Sequence, residues 1–418
     1  MNDIMRIVLW IVYLISLYFA VFWFLVFLDE EPREKKKPLK KQPLVSVIIP
    51  AYNEESRIKK TILSVLKLDY PREKLQTVVI NDGSSDKTRQ VVEQVIKANK
   101  GFDIVLLNQE NKGKGAALNQ GLRISKGEFF ICLDADSHVR KDALNKMLPH
   151  FAEEDVAAVL PVLKVRKPKN LLQKMQWFEY IINMFYKELM GKLDCIHVAP
   201  GPFSVYRKSI LVKIGGFDED GNLTEDLEIA LRLQKNHYRI IQLLDTEVYT
   251  AAPDTLKALY KQRNRWYKGA IHNAINYRKL LFNKKYGDFG LIQMPTILVS
   301  GIIAIVMILS IAYYAISPYI RNFNKLRFID FDFITLVKTF SLNFHFLELN
   351  YMFIMIAGVM LFVSILILKK SHISTNERVF KYGAYPLILY LFFYFFVLGP
   401  MWVGIAVDFL LRKKKQRW

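Results

Sequence analysis

The sequence predicts an α/β protein in which a mostly parallel, Rossmann-like sheet domain is inserted between transmembrane helices. Three observations indicate this fold class. Long uncharged apolar runs stand near both ends of the 418-residue chain, at 7–28, 289–320 and 382–407. Between them, apolar runs of strand length alternate with segments of helical spacing, which is typical of a doubly wound sheet. Polar turns follow these strands, at the sheet edge where such folds bind ligands.

The first half of the central region repeats one scheme. Residues 44–54 and 76–86 each hold an apolar strand, a polar turn and a helix start, with Ser85 or Asp86 near the second N-cap. Further strands are predicted at 103–108 and 128–133, and a Gly/Lys loop at 111–119 opens the helix between them. Because parallel strands end at a shared edge, one set of polar residues is expected along it: Glu54, Asp82, Lys114 and Asp134.

Beyond residue 150 the pattern is less regular. A strand is predicted at 156–165, and a turn-rich loop at 199–208 leads into another. Two long amphipathic helices, at about 171–190 and 255–283, are expected to lie in the membrane interface, with packing on the domain as the alternative for the first. Between them, Thr224 is the predicted N-cap of a helix.

These features divide the chain into three parts. Residues 1–43 hold one transmembrane helix and a basic linker, since 22 apolar residues suffice to cross a hydrocarbon core. Residues 44–285 form the central sheet domain, with the two amphipathic helices in its second half. Residues 286–418 form a C-terminal transmembrane region of three spans, or four if the ambiguous segment 331–349 also crosses. With three spans the basic tail 412–417 would end outside, against the positive-inside rule.

The charge distribution indicates a membrane protein whose central domain lies in the cytoplasm. The formal net charge is +20, but basic residues cluster beside the apolar runs, with six of them in 33–41 directly after the first span. Positive-inside asymmetry therefore predicts a multi-pass protein of the plasma membrane, in contact with anionic lipids. No nucleic-acid-binding module is recognisable, so nucleic acid is not an expected partner. The two cysteines do not form a disulfide framework, and Cys132 is expected to be a small buried hydrophobe.

Two carboxylates, Asp134 and Asp136, directly follow the apolar strand 129–133. Facing a crevice at the sheet edge, they could share a divalent cation bound to a diphosphate. The alternative is a loop in which one of them merely caps the next helix.

Six short motifs occur in a fixed order along the central region. They are Pro50-Ala-Tyr-Asn-Glu54, Asn81-Asp82-Gly-Ser-Ser-Asp86, Lys112-Gly-Lys114-Gly, Asp134-Ala-Asp136, Thr224-Glu225-Asp226 and Gln262-x-x-Arg265-Trp266. Together they resemble the motifs of processive, membrane-embedded family 2 glycosyltransferases with a GT-A fold. That group includes the cellulose, chitin, hyaluronan and poly-N-acetylglucosamine synthases. The chain departs from many relatives in having Asn81-Asp82 where they have two aspartates, and it lacks a Phe-x-Val-Thr-x-Lys gating loop.

The resemblance implies a role for each motif residue. Asp226 would be the catalytic base, and Asp136 would bind Mg²⁺ or Mn²⁺, with Asp134 beside it and nearer the ribose. The nucleotide-sugar site would comprise Pro50, Tyr52, Glu54, Asp82, Lys114 and Asp134. The diphosphate and acceptor would contact Gln262, Arg265 and Trp266, with Glu225 next to the base. Independently, Arg265 can fork onto a pyrophosphate and Trp266 can stack on a sugar.

The resulting expectation is an inverting, processive glycosyltransferase. It would polymerise a β-linked polysaccharide from a UDP-sugar, UDP-N-acetylglucosamine first, and translocate the product. Its partners would be the UDP-sugar donor, the growing polysaccharide and membrane lipids; whether an accessory membrane protein joins them is left open. The first alternative is a non-processive family 2 enzyme that glycosylates a lipid-linked acceptor, and the second is a non-enzymatic transporter whose domain senses nucleotide sugars.

Overall fold

The structure, a computed structural model, describes residues 3–29, 41–219, 223–328 and 351–411. Within these ranges eight strands form one mixed, mostly parallel sheet in the order β3-β2-β1-β4-β7-β6-β8-β5. The strands are β1 (Val45–Ala51), β2 (Leu75–Asp82), β3 (Asp103–Gln109), β4 (Phe129–Cys132), β5 (His138–Val139), β6 (Val156–Val165), β7 (Ser204–Arg207) and β8 (Arg239–Thr250). Strands β1 to β4 are parallel to one another, β7 is antiparallel to both neighbours, and β8 is parallel to β6.

Some of the described helices cover the two faces of this sheet, and others precede or follow the sheet domain in the chain. They are α1 (Asp3–Leu28), α2 (Ile58–Val65), α3 (Thr88–Ala98), α4 (Lys114–Ile124), α5 (Ala143–Met147), α6 (Leu171–Lys192), α7 (Lys208–Lys213), α8 (Glu225–Lys235), α9 (Leu256–Asn276), α10 (Met294–Phe328), α11 (Tyr351–Ser374) and α12 (Ala384–Leu410). A π-helical turn, Phe289–Gln293, leads into α10.

The central strand β1 shows why an apolar run became a parallel strand. Val47 and Ile49 pack in the core on one face of the sheet, while Ile48 packs in the core on the other. Successive side chains of a strand point to opposite faces, so a strand covered on both faces must be apolar throughout. Helices α2 and α4 cover these faces and direct the strand ends toward one edge.

Two predicted helix starts differ in detail from the structure. Helix α3 begins at Thr88, and Asp86 supports it because its carboxylate accepts a hydrogen bond from the Thr88 N–H at 2.9 Å. Thr224 occupies the N-cap position of α8, but its side chain does not cap that helix. Its hydroxyl oxygen instead accepts a hydrogen bond from the Asn273 side chain of α9 at 3.0 Å, which joins the two helices.

Helix α6 packs on the sheet domain, which was the alternative to a purely interfacial position. Trp177, Phe178 and Ile181 are buried, because α6 lies between strands β6 and β8 on one side and helices α11 and α12 on the other. The apolar face predicted from its spacing is therefore covered by both the sheet and the apolar C-terminal helices.

Four described helices are long and apolar enough to cross a membrane: Ile7–Leu28, Phe289–Tyr313, Ile354–Ser374 and Ala384–Asp408. Three of them follow the sheet domain, and the segment 331–349 lies outside the described residues. A buried lysine joins this region to the sheet. The Lys164 amine of β6 lies 2.7 Å from Glu247 of β8 and 3.1 Å from Glu377, in the connection between α11 and α12.

Candidate active site

The carboxyl ends of β1, β2 and β4 meet at one edge of the sheet. In the register of these parallel strands, Ala51 pairs with Asn81 and Ile48 pairs with Cys132. The turns that follow the three strands therefore lie side by side, as predicted from their shared polarity. Gly83, in the turn after β2, allows the loop after β3 to approach closely, since it has a φ of +70° and a Cβ atom there would lie 2.6 Å from the Asn111 nitrogen.

Pro50 lies near the end of β1, and the turn that follows carries Tyr52 and Glu54 and is hydrogen-bonded to the turn after β2. Asn53, with a φ of +56°, accepts a hydrogen bond from the Ser85 N–H at 2.9 Å. The Glu54 N–H donates to the Thr88 hydroxyl at 2.8 Å. These bonds fix Tyr52 and Glu54, both partly exposed, at the rim of the crevice.

Asp82, predicted to contact uracil and ribose, is only 3% exposed, and its carboxylate is already engaged by protein groups. It accepts hydrogen bonds from the Gln109 side chain at 2.7 Å and from the N–H groups of Lys112 and Gly113, each at 2.9 Å. Asp82 thus holds the Gly/Lys loop immediately before Lys114. Asp82 therefore positions this loop. That Asp82 also contacts a nucleotide stays a prediction.

Lys114, the first residue of α4, connects two parts of the crevice. Its amine lies 2.7 Å from the Asp134 carboxylate and 2.6 Å from the Glu225 carboxylate. Burial alone would lower the pKa of Lys114, but the two carboxylates outweigh it and raise the pKa well above the ordinary value. Lys114 is therefore a cation that neutralises Asp134 and Glu225, which come from separate elements of the fold.

A group of acidic side chains, Glu54, Asp134 and Asp136, lies at the crevice edge. Burial raises the pKa of Glu54 to about 7; Arg57 counters this, and the Asp136, Asp86 and Asp134 charges add to it. Burial and the adjacent Asp134 charge likewise raise the pKa of Asp136. The three carboxylates thus repel one another in a partly desolvated place, which a divalent cation would relieve.

Asp134 and Asp136 are the metal ligands predicted from sequence. They could supply only part of the ligand set of a divalent cation. In the described part of the chain, no group of three or more histidine, cysteine, aspartate or glutamate side chains is arranged to hold a metal ion. Two carboxylates leave the remaining positions of a hard cation to water and to phosphate oxygens, as is usual for Mg²⁺ sites that also bind a phosphorylated substrate.

Asp226 follows Glu225 in the first turn of α8 and lies in the same crevice. Burial raises the pKa of Asp226 to about 6; Glu225 adds to this, and Lys114, Arg265 and Lys187 oppose it. For Glu225, burial again raises the pKa, but Lys114 outweighs it, so that the pKa is lowered. The two neighbouring carboxylates therefore differ: Glu225 stays ionised beside its lysine, and Asp226 can exchange a proton near neutral pH.

Helix α9 brings the Gln262–Trp266 segment to α8. Asn273 bonds to Thr224, and Gly269 packs directly against the Thr224 side chain. Arg265 is close enough for its charge to lower the pKa of both Glu225 and Asp226. Gln262 and Trp266 are partly buried.

Trp266 also packs against its own helix. The guanidinium carbon of Arg263 stands 4.3 Å from the centroid of the Trp266 ring. Arg263 is in turn held by Glu179 of α6 at 2.6 Å. One partner of the Trp266 ring is therefore a buried arginine, and its stacking on a sugar stays a prediction.

The structure also brings Gly201 and Lys187 to the site. Gly201 begins the segment Gly201-Pro-Phe-Ser-Val-Tyr-Arg207, which resembles the acceptor-side loop of the family, whereas Lys187 was not predicted. Gly201 lies against the ion pair of Lys114 and Asp134: a Cβ atom on Gly201 would stand 2.5 Å from the lysine amine and 2.7 Å from the carboxylate. Lys187 of α6 faces Asp226, and burial lowers the pKa of this lysine to about 8. A glycine in a turn-rich loop was visible in the sequence, but nothing in the spacing of α6 indicated where Lys187 would point.

The fold is of the GT-A type, a mostly parallel sheet with helices on both faces and a polar crevice at the carboxyl ends of the strands. A sequence model of the family "Glycosyl transferase family 2" matches residues 46–215. Residues 46–215 of the chain are therefore similar to this family. The predicted fold class is confirmed, and the predicted resemblance to family 2 is confirmed over residues 46–215.

Two curated proteins are similar to this chain in sequence. The chain is 35% identical over 248 residues to poly-beta-1,6-N-acetyl-D-glucosamine synthase of Staphylococcus aureus, covering 57% of this chain and 59% of that protein. It is 31% identical over 265 residues to the synthase of the same name from Staphylococcus epidermidis, covering 60% and 63%. The chain thus matches about three fifths of the length of these relatives.

A solved structure extends the likeness of the fold to the whole chain. The mannosyltransferase PcManGT from Pyrobaculum calidifontis, in complex with GDP-Man and Mn²⁺, superposes with a TM-score of 0.62. The alignment covers 99% of this chain and 98% of that protein at 19% identity, which supports a shared fold.

Proposed function

We propose that the protein is a membrane-embedded polysaccharide synthase that transfers N-acetylglucosamine from UDP-N-acetylglucosamine to the end of a growing chain, with inversion. The polymer and the sugar are supported by the relatives named poly-beta-1,6-N-acetyl-D-glucosamine synthase. The single observation that carries the chemistry is the position of Asp226, buried at the start of α8 beside a lysine-neutralised carboxylate, with a pKa of about 6.

In this proposal Asp226 accepts the proton of the acceptor hydroxyl. A carboxylate with a pKa of about 6 is ionised at neutral pH, yet it is more basic than an ordinary aspartate. One such base is sufficient for a single in-line displacement, which inverts the anomeric carbon and forms no covalent intermediate with the protein. Glu225 stays paired with Lys114, so it is not available for the same role.

Other residues of the crevice would bind the donor. Tyr52 and Glu54 line its rim, Asp82 fixes the loop that presents Lys114, and Arg265 would bind the diphosphate as a fork. Asp136, with Asp134, would hold Mg²⁺ or Mn²⁺, which when bound neutralises charge on the departing UDP. Trp266 would support the acceptor sugar at the far side of Asp226.

We further propose that the protein is a multi-pass protein of the plasma membrane with residues 44–285 in the cytoplasm. The four apolar helices and the basic residues of 33–41 support this arrangement. The apolar helices would also flank the path by which a processive enzyme moves its product across the membrane.

The decisive experiment is incubation of the purified full-length protein with UDP-N-acetylglucosamine, UDP-glucose, UDP-galactose and GDP-mannose in separate reactions containing Mn²⁺. We expect nucleotide release from UDP-N-acetylglucosamine and a ladder of products spaced by one N-acetylhexosamine in the mass spectrum. A product with one added sugar would show a non-processive enzyme. Absence of turnover with every donor, from protein that binds UDP, would contradict the proposal.

A further inference from the structure

Helix α12 and the segment that precedes it contact the catalytic domain at several points, beginning just before the helix. The ring of Tyr382, two residues before α12, meets the Trp177 ring of α6 edge-on at 4.9 Å. Just upstream, the Lys164 amine of β6 donates to the Thr375 carbonyl at 2.7 Å and pairs with Glu377. The start of α12 is therefore attached to the sheet itself.

The middle and the C-terminal end of α12 also rest on this domain. The Tyr394 hydroxyl donates to Glu179 of α6 at 2.8 Å. Farther along, the Trp402 ring stacks on Tyr267 of α9 at 3.9 Å. One turn from the end, Asp408 pairs with the Lys268 amine at 2.8 Å.

Lys268 belongs to the part of α9 that packs on the candidate active site. The next residue, Gly269, lies against Thr224, which immediately precedes Glu225 and Asp226. The C-terminal end of α12 therefore lies on the catalytic side of the molecule, like its N-terminal end.

Helix length makes this arrangement incompatible with an upright span. The 27 residues of α12 extend about 40 Å at roughly 1.5 Å per residue, which exceeds a hydrocarbon core of about 30 Å. An upright helix of that length would separate its ends across the membrane. We infer that α12 does not cross the bilayer but lies submerged along the membrane-facing side of the catalytic domain, against α6, α9 and the first part of α10, with both ends on the catalytic side.

The outer surface of α12 fits a lipid environment. Its side chains that face away from α6 and α9 are large and apolar, and several are about half exposed: Tyr385, Ile388, Phe392, Phe393 and Phe396. A helix that is apolar all round and covered on one side by protein needs a nonpolar medium on the other side. The inference therefore rests on the membrane association proposed above, and it does not depend on the reaction.

The path of the two preceding helices fixes the side on which the chain ends. Helix α10 leaves from the domain, because Phe289 and Met294 are buried with Leu227 of α8. Helix α11 returns to the domain, because His372 packs edge-on against Trp177. Between departure and return the number of crossings must be even, whatever the path of residues 329–350.

With both ends of α12 on the catalytic side, Leu411, the last described residue, lies on that side. Three C-terminal crossings would place the basic sequence 412–417 outside, against the positive-inside rule. If α12 does not cross, the sequence no longer conflicts with that rule.

The test is side-specific labelling of single introduced cysteines with a membrane-impermeant maleimide, in sealed vesicles of known orientation that contain the full-length protein. The native Cys132 and Cys195 are buried and serve as an unlabelled background. Val212→Cys on α7 marks the catalytic side and Tyr351→Cys at the start of α11 marks the opposite side, since both residues are exposed. The reporters are Leu411→Cys and a cysteine appended after Trp418.

We expect both reporters to be labelled from the same side as Val212→Cys. Labelling of both from the side of Tyr351→Cys would overturn the inference. Arg378→Cys, between α11 and α12, checks the return of α11, and labelling of this cysteine from the side opposite to Val212→Cys would also overturn it. A protein that fails to polymerise sugar would still give these patterns, so failure of the proposed function is distinguishable.

A double-mutant cycle with charge reversals tests the contact between Lys268 of α9 and Asp408 of α12 directly. Lys268→Glu and Asp408→Lys should each lower the thermal midpoint of the detergent-purified protein, since each leaves two like charges in contact. The double variant restores an ion pair and should recover most of the loss. A double variant as unstable as the sum of the two single changes would show that these residues do not meet.

Discussion

The proton-accepting role proposed for Asp226 predicts a specific pH dependence. Its pKa of about 6 means that about nine tenths of the carboxylate is ionised at pH 7 and about one tenth at pH 5. Because only the ionised form accepts a proton, the turnover rate should fall about tenfold between pH 7 and pH 5. An aspartate at its ordinary value of about 3.8 would leave the rate almost unchanged over that interval.

The assay is the initial rate of UDP release by the detergent-purified protein between pH 5 and pH 8. Donor and Mn²⁺ should be saturating, because the pKa of Glu54 is about 7 and its protonation would weaken a nearby cation site over the same range. Asp226→Asn should lower the rate at pH 7 by roughly 10²–10⁴-fold, the usual contribution of a positioned base. The residual rate should no longer depend on pH near 6, and UDP binding should be retained.

Asp245→Asn is the matched control, since Asp245 is exposed on β8 and none of the proposed roles involves it. Its rate and pH profile should equal those of the unaltered protein. A rate that stays flat from pH 8 to pH 5, or an acidic limb near pH 6 that persists in Asp226→Asn, would refute the assignment of the base.

Three further predictions concern the metal, the donor crevice and stability. Asp136→Ala should abolish the increase in UDP affinity that Mn²⁺ causes; calorimetric titrations with and without Mn²⁺ that match those of the unaltered protein would contradict this. Gly201→Ala should raise the KM for the donor at least tenfold, because the added methyl group would displace the Lys114–Asp134 pair, whereas Gly101→Ala, with open space around it, should have no effect. Lys164→Met should lower the free energy of unfolding by about 3 kcal/mol, because it leaves two buried carboxylates without their shared lysine. Thermal melting should show a clear drop in the midpoint. The control is Lys126→Met, which breaks an exposed ion pair with Asp103 and should leave the midpoint almost unchanged.

Much of the site was predictable because short-range patterns determine it. The strands before Glu54, Asp82 and Asp134 are apolar on both faces, and a buried parallel strand can hardly be built otherwise. Their polar turns must then meet at one edge, as they do. The Thr-Glu-Asp motif at the start of α8 follows from local helix signals in the same way, although the hydroxyl of Thr224 turned out to bind α9.

The sequence could not show which of these polar groups bind each other. Lys114 was expected to approach a nucleotide, but it pairs with Asp134 and Glu225, which are 20 and 111 positions away. Gly201 and Lys187 reach the site only because a loop and α6 fold over it. Such contacts depend on long-range packing, and periodicity within one segment carries no information about them.

The sequence by itself determined the kinds of elements, their order, the acidic edge of the sheet and the apolar helices, because each depends on residues close together along the chain. Only the tertiary structure decided which carboxylate is neutralised by Lys114, which one keeps a raised pKa, and that both ends of α12 rest on the catalytic domain. The physical reason is that charge, burial and helix orientation are set by neighbours in space. For α12, hydropathy reports that a helix prefers a nonpolar medium, whereas its contacts with Trp177 and Lys268 determine how it lies there.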